Sequence, residues 1–234
     1  MLKFALFACF FLFFNLYGNE TLNLRQNLSK ANPGDYIVAA QNKNYILLNI
    51  LAKTPEKLTI QEISIPASKI ERNNIVWKEW VQKGAPAHTS WIKYTIILPT
   101  GEMQDTFSFS SLGWQPINLE APFLPTLLNL RFTKIADKER KKVGDPLSEG
   151  GTGGKKIWQP PLIINGQQIR GALLDAWRAH WPRDRSPLSD KIIEVYIPRE
   201  GDNYPSYFPY WLQVSGAIGK ADLRIIDSGT GLTN

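Results

Sequence analysis

From Tyr36 onward the chain is built of short β-branched and aromatic runs separated by turn residues, a pattern that points to antiparallel strands joined by tight connections. Runs at 36–41, 45–52 and 58–65 are divided by Asn42-Lys43-Asn44 and by Thr54-Pro55-Glu56-Lys57, which predicts a three-strand meander. Runs at 90–98 and 102–110 flank Pro99-Thr100-Gly101, and Phe107 and Phe109 fall on one face of the return strand. Asn165-Gly166 joins 162–164 to 167–170 with the pair that a type I′ turn demands, because both central residues need positive φ. Alternating segments at 191–197, 207–215 and 221–227 complete the strand set, and 127–135 is read as a further strand.

Two stretches interrupt this pattern with helical spacing. Residues 75–83 place Val76, Trp77, Trp80 and Val81 together, after Asn73 and Asn74 as capping residues. Residues 172–181 place Leu173, Ala176, Trp177, His180 and Trp181 on one side, and Pro182 stops the run. The expected fold is mainly β: a curved antiparallel sheet or (half-)barrel of roughly ten strands with one or two short helices, after an N-terminal signal segment.

That segment is residues 1–18. Lys3 supplies a positive start, residues 4–14 carry no charge, and Gly18 is the small residue at which cleavage is expected. The apolar run is too short to span a membrane, which takes about 17 to 25 residues. Cys9, the one cysteine, sits inside the run rather than at its end, so it reads as part of the signal core rather than as a lipidation site. Its removal leaves a chain without thiols, which excludes disulfides, thiolate metal sites and a cysteine nucleophile. Stability then rests on a core. Residues 19–34 read as a loose lead-in, and 35–234 as a single β-rich domain interrupted by a flexible Gly-rich loop at 144–156.

Against 21 acidic residues stand 27 basic ones, a formal net charge of +6. Much of the excess lies in 134–156, where Arg140 and its neighbours read as a solvated basic loop and Lys155 and Lys156 as contacts for anionic headgroups or another polyanion. Export makes nucleic acid an improbable partner. The two histidines are far apart in sequence. His180 is expected to be hydrogen-bonded in the core, whereas His88 opens a strand from a turn and is a candidate loop contact. No metal-ligand spacing, G-x-S-x-G elbow or P-loop occurs, so neither a metal nor a cofactor is expected.

With no catalytic constellation in view, the leading expectation is a non-enzymatic exported protein. Its sheet holds an apolar or amphiphilic, lipid-like ligand against Leu173, Trp177, His180 and Trp181, or docks on an envelope protein or the membrane surface. A sheet under a helical lid resembles the half-barrel-plus-helix plan of periplasmic lipoprotein carriers, and the resemblance implies an apolar concave site. The eight tryptophans support a second expectation, a cell-envelope glycan-binding or glycan-hydrolysing protein, since indole faces stack on sugars. A third is an assembly partner with no small-molecule site. Export predicts that protein recovered from the envelope begins at or near Asn19. N-terminal mass analysis checks this, and an intact Met1 would contradict it.

Overall fold

The computed structural model describes residues 20–70, 75–116, 123–144, 154–199, 204–216 and 219–233. Residues 1–19, which include the expected signal segment, lie outside the described residues, as do Asn73, Asn74 and the Gly-rich stretch 145–153. In chain order the elements begin with β1 (Thr21–Asn23), α1 (Leu24–Leu28), β2 (Tyr36–Gln41), β3 (Asn44–Lys53), β4 (Lys57–Pro66) and α2 (Trp77–Gln82). Then come β5 (Ser90–Ile97), β6 (Met103–Ser108), β7 (Gly113–Trp114), α3 (Phe123–Asn129), β8 (Arg131–Lys134), β9 (Lys142–Val143) and β10 (Lys156–Ile157). The last are β11 (Leu162–Ile164), β12 (Gln167–Ile169), β13 (Leu174–His180), β14 (Ile192–Pro198), β15 (Trp211–Gly216) and β16 (Gly219–Gly229). No described helix is long and apolar enough to cross a membrane.

Twelve strands form one antiparallel sheet in the order β1-β8-β13-β14-β15-β16-β2-β3-β4-β5-β6-β7. The fold is therefore mainly β, as its alternating runs and turn signals require. Among the described residues β1 and β7 are the edge strands and do not pair with each other, so the sheet is open and not a closed barrel. It is also wrapped. One core cluster joins Ile37, Ile60 and Ile96 of the N-terminal strands to Phe132, Leu174 and Val195 of the C-terminal ones, with Leu24 and Leu28 of α1 and Leu127 and Leu128 of α3 packed among them. A second cluster lies on the opposite face of β2–β4, where α2 lays Trp77 and Trp80 against Tyr45, Leu47 and Ile63.

The turn signals are realised in the backbone. Asn165 has φ 50° and Gly166 φ 76°, the two positive angles that the β11–β12 hairpin needs, and Gly101 has φ 73° between β5 and β6. Four expectations are corrected. Residues 172–181 are not a helix: residues 174–180 form β13, paired to β14 and β8. Leu, Ala and Arg favour a helix locally, but a neighbour on each side satisfies the backbone as a strand, and the tertiary context overrides propensity. Residues 172–181 therefore provide no helical lid.

Residues 127–135 divide into the end of α3 and β8, because Leu127 and Leu128 face the core as consecutive helical residues. The lead-in is not loose: β1 pairs with β8, and Leu24, Leu28 and Ala31 are buried. Arg140 belongs to no solvated loop. It is 6% exposed and donates to the Leu174 carbonyl at 2.8 Å and to Gln159 Oε1 at 3.1 Å. α2 is where its spacing predicts, but its first turn is preceded by Val76, whose side chain provides no cap.

The β11–β12 hairpin docks on β16 through buried polar groups. Asp227 accepts hydrogen bonds from the backbone N–H of Gly166 (2.8 Å) and Ser228 (2.9 Å) and from the Tyr36 hydroxyl (3.3 Å). Burial nevertheless outweighs these bonds and raises the Asp227 pKa above the ordinary carboxylate range. Ionising this group therefore costs more in the folded than in the unfolded chain. Its stabilising contribution is fully present below the unfolded-state pKa and is lost as pH rises through the higher folded-state value. Asp227→Asn should flatten the decline in unfolding free energy over that window, measured by urea titration across pH. An unchanged slope would contradict the assignment.

Candidate functional site

Strand alternation decides which of the expected site residues can act together. On β13, Asp175, Trp177 and Ala179 point to one face, while Ala176, Arg178 and His180 point to the other. Trp177 and His180 therefore cannot share a site, as a helix would have allowed. Trp177 is half-buried on the face that also carries Ile197. His180 is exposed rather than in the core, beside Pro125, Asn129, Arg131 and Pro182 in a shallow depression. Trp181 is structural: it is 3% exposed, stacks on Phe123 at 5.7 Å and donates its indole N–H to Asp184 at 2.9 Å. Leu173 precedes β13 in solvent at 45% exposure.

His88 donates from Nδ1 to the Ala85 carbonyl at 2.9 Å and packs edge to face on Trp91 at 5.3 Å. Lys155 and Lys156 are exposed where β10 begins, on the separate β9–β10 ladder. Neither lines the cleft that contains Trp177.

That cleft, of about 580 Å³, lies at the β1 end of the sheet, between β1, α1, β8 and the ends of β13 and β14. Trp177, Leu22, Ile197 and Pro198 give it apolar surface, while Asn23, Gln26, Asn27 and Lys30 border it from the β1–α1 segment. α1 is held over it by Leu24 and Leu28 in the core and by the Asn27 amide, which donates to the Ser206 carbonyl at 3.0 Å.

An ion network crosses the cleft. Lys134 Nζ meets Glu20 Oε2 at 2.7 Å and Asp175 Oδ2 at 3.2 Å, and Arg199 reaches Asp175 Oδ1 at 3.2 Å. The bond to Glu20, and after it the pairing with Asp175, raise the Lys134 pKa against the opposing effect of burial. The same ammonium lies 5.6 Å from the centroid of the Trp177 ring. A half-buried indole is thus surrounded by groups that both donate and accept hydrogen bonds. Both nearby carboxylates are spent on one lysine.

Lys134, Asp175 and Arg199 are not legible as a set, since they come from β8, β13 and the residue after β14, which are distant in sequence. The only local signal is Asp175, a charge inside an otherwise apolar run. Among the described residues no group of three or more His, Cys, Asp or Glu side chains is placed to hold a metal ion.

An open, wrapped sheet with a mixed cleft at one edge defines a mainly β protein with a polar and apolar surface cleft. Residues 46–170 match the family model of the CT021 protein, and the chain belongs to that family. The fold is similar to that of the hypothetical protein CT021 from Chlamydia trachomatis, solved at 2.0 Å, with a TM-score of 0.61 and 19% identity over 90% of this chain and 93% of that one. No curated protein matches the chain.

Asp175 is 8% exposed and offsets two cations, so its removal leaves both without their buried partner. Asp175→Ala, which leaves two partly exposed cations, should cost about 1 to 2 kcal/mol of unfolding free energy. Arg199→Ala, at a largely exposed guanidinium, should cost about 1 kcal/mol or less. Chemical denaturation of the two variants checks this, and equal losses would contradict the unequal burial of the pair.

Proposed function

We propose that the protein is exported and non-catalytic, and that it binds a glycan of the cell envelope in the Trp177 cleft. The observation that carries this reading is the composition of the cleft. Indole and aliphatic surface lie beside Asn, Gln, Lys, Arg and Asp groups of both hydrogen-bonding senses. A sugar presents the same mixture, with apolar C–H faces and hydroxyls that donate and accept at once. A phosphate would call for donors alone, yet Asp175 stands between Lys134 and Arg199. An acyl chain would call for a dry interior. The apolar space beneath α1 and α3, lined by Ile37, Ile60, Tyr94, Leu124 and Phe208, is about 20 Å³, room for little more than one water-sized group.

Binding is preferred to hydrolysis because glycoside cleavage needs one carboxyl group free to protonate a leaving oxygen. Glu20 and Asp175 both hold the Lys134 ammonium instead. The charge-free run at 4–14 supports export.

Titration with short N-acetylhexosamine oligosaccharides, followed by tryptophan fluorescence and by amide shifts in β1 and β13, tests the reading. A saturable change is expected. Trp177→Ala should weaken it by about tenfold or more, or about 1.4 kcal/mol, while the protein still unfolds cooperatively. An absent response, or binding that Trp177→Ala leaves intact, would overturn the proposal.

A further inference from the structure

At the opposite end of the strand order from the cleft, the sheet carries the two most exposed large apolar side chains among the described residues. The β6–β7 hairpin exposes Phe109 at 37%, Leu112 at 81% and Trp114 at 68%. Leu112 adopts φ 51°, a left-handed angle that a bulky residue rarely takes, and its side chain is turned outward with no core partner among the described residues. Behind the tip runs an aromatic series on one face. Trp114 meets Phe107 at 5.4 Å, Phe107 meets Phe109 at 5.2 Å, Phe109 meets Trp91 at 5.6 Å, and Trp91 meets His88 at 5.3 Å. These ring contacts run from the tip back to the start of β5, so the tip is a projection backed by packed aromatic side chains.

Charge selects the occupant. Residues 106–119 contain no charged side chain at all. Lys93 stands behind the tip with its ammonium 5.9 Å from the centroid of Phe107. Exposed Lys43 and Lys69 occupy the turns at the same end of the neighbouring strands, where the Ala67 N–H bonds to the Lys43 carbonyl. From β3 to β6 the spacing is about 14 Å, three strand separations. Leucine outermost, aromatic rings next and lysines behind is the order in which a bilayer presents hydrocarbon, interface and phosphate.

We propose that the 109–114 tip inserts into the interfacial layer of an anionic lipid membrane and docks the protein there by its β7 edge. A pocket on a partner protein is the competing occupant. The tip is independent of the Trp177 cleft, so failure of either reading leaves the other standing.

Flotation with vesicles tests it, using the exported chain from Asn19, which holds every described element of the fold. Wild type should float with vesicles of phosphatidylcholine and phosphatidylglycerol, less with phosphatidylcholine alone, and brominated lipid should quench part of its tryptophan emission. Leu112→Asp and Trp114→Ala should each reduce flotation by about tenfold or more with melting unchanged, because both side chains are in solvent. Trp114→Phe should keep flotation but lose much of the quenching. Wild type that stays in solution, or variants that float as it does, would overturn the proposal and leave the tip to a protein partner.

Discussion

The pairing of β2 with β16 is the contact on which the rest of the structure depends. Without it the chain would be two antiparallel blocks, β2 to β7 and β13 to β16 with β8 and β1, each with an unpaired edge. The seam runs from Gly229↔Tyr36 to Leu223↔Gln41, with a bulge between Ile225 and Asp227 that turns Asp227 toward the Tyr36 hydroxyl. Around it the Tyr207 hydroxyl donates to the Tyr36 carbonyl, and Tyr210 and Ser228 share a hydroxyl bond of 2.8 Å. Gly229 is required there: a Cβ would run into Asn165 Oδ1 and approach the Tyr36 ring. The β11–β12 hairpin closes over this seam through Asn165, Gly166 and the Ile163 carbonyl, so its Asn-Gly turn serves a long-range contact as well as a local one.

Joining the blocks has two consequences for function. The wrapped sheet buries apolar side chains from both halves in one cluster and leaves only about 20 Å³ in the apolar space between them among the described residues, while the Trp177 cleft lies at the rim. The rim has two distinct ends, a mixed cleft at β1 and an apolar tip at β7. The family match over 46–170 spans the tip and Lys134 but ends before Asp175, Trp177 and Arg199.

Much of the strand pattern was legible in the sequence because it is carried by local chemistry. Asn165-Gly166 and Pro99-Thr100-Gly101 dictate their turns, and the alternation in β2, β3, β4 and β14 follows burial on one face or both. Where the reading failed, two periods fitted equally well. In 174–180, residues 176, 177 and 180 suit a helix face, yet 175, 177 and 179 suit a strand face, and only β8 and β14 decide between them. The helical reading groups Trp177 with His180, which strand alternation puts on the other face, and with Trp181, which is buried against Phe123. β1 and α1 were illegible because their partners, β8 and the Ser206 carbonyl, lie more than a hundred residues away. Arg140 was misread for a related cause: its acceptors at Leu174 and Gln159 leave no trace near it in sequence.

Native-state hydrogen exchange at the seam tests the claim that one pairing makes one body of the sheet. If it does, the ladder amides of β2 and β16 exchange only through global unfolding, with the slowest rates in the protein and the same denaturant dependence as the β3–β4 and β14–β15 amides. Faster exchange at the seam than within β3–β4 or β14–β15, through an opening that leaves those pairs protected, would mean that the blocks separate while still folded, and it would contradict the account.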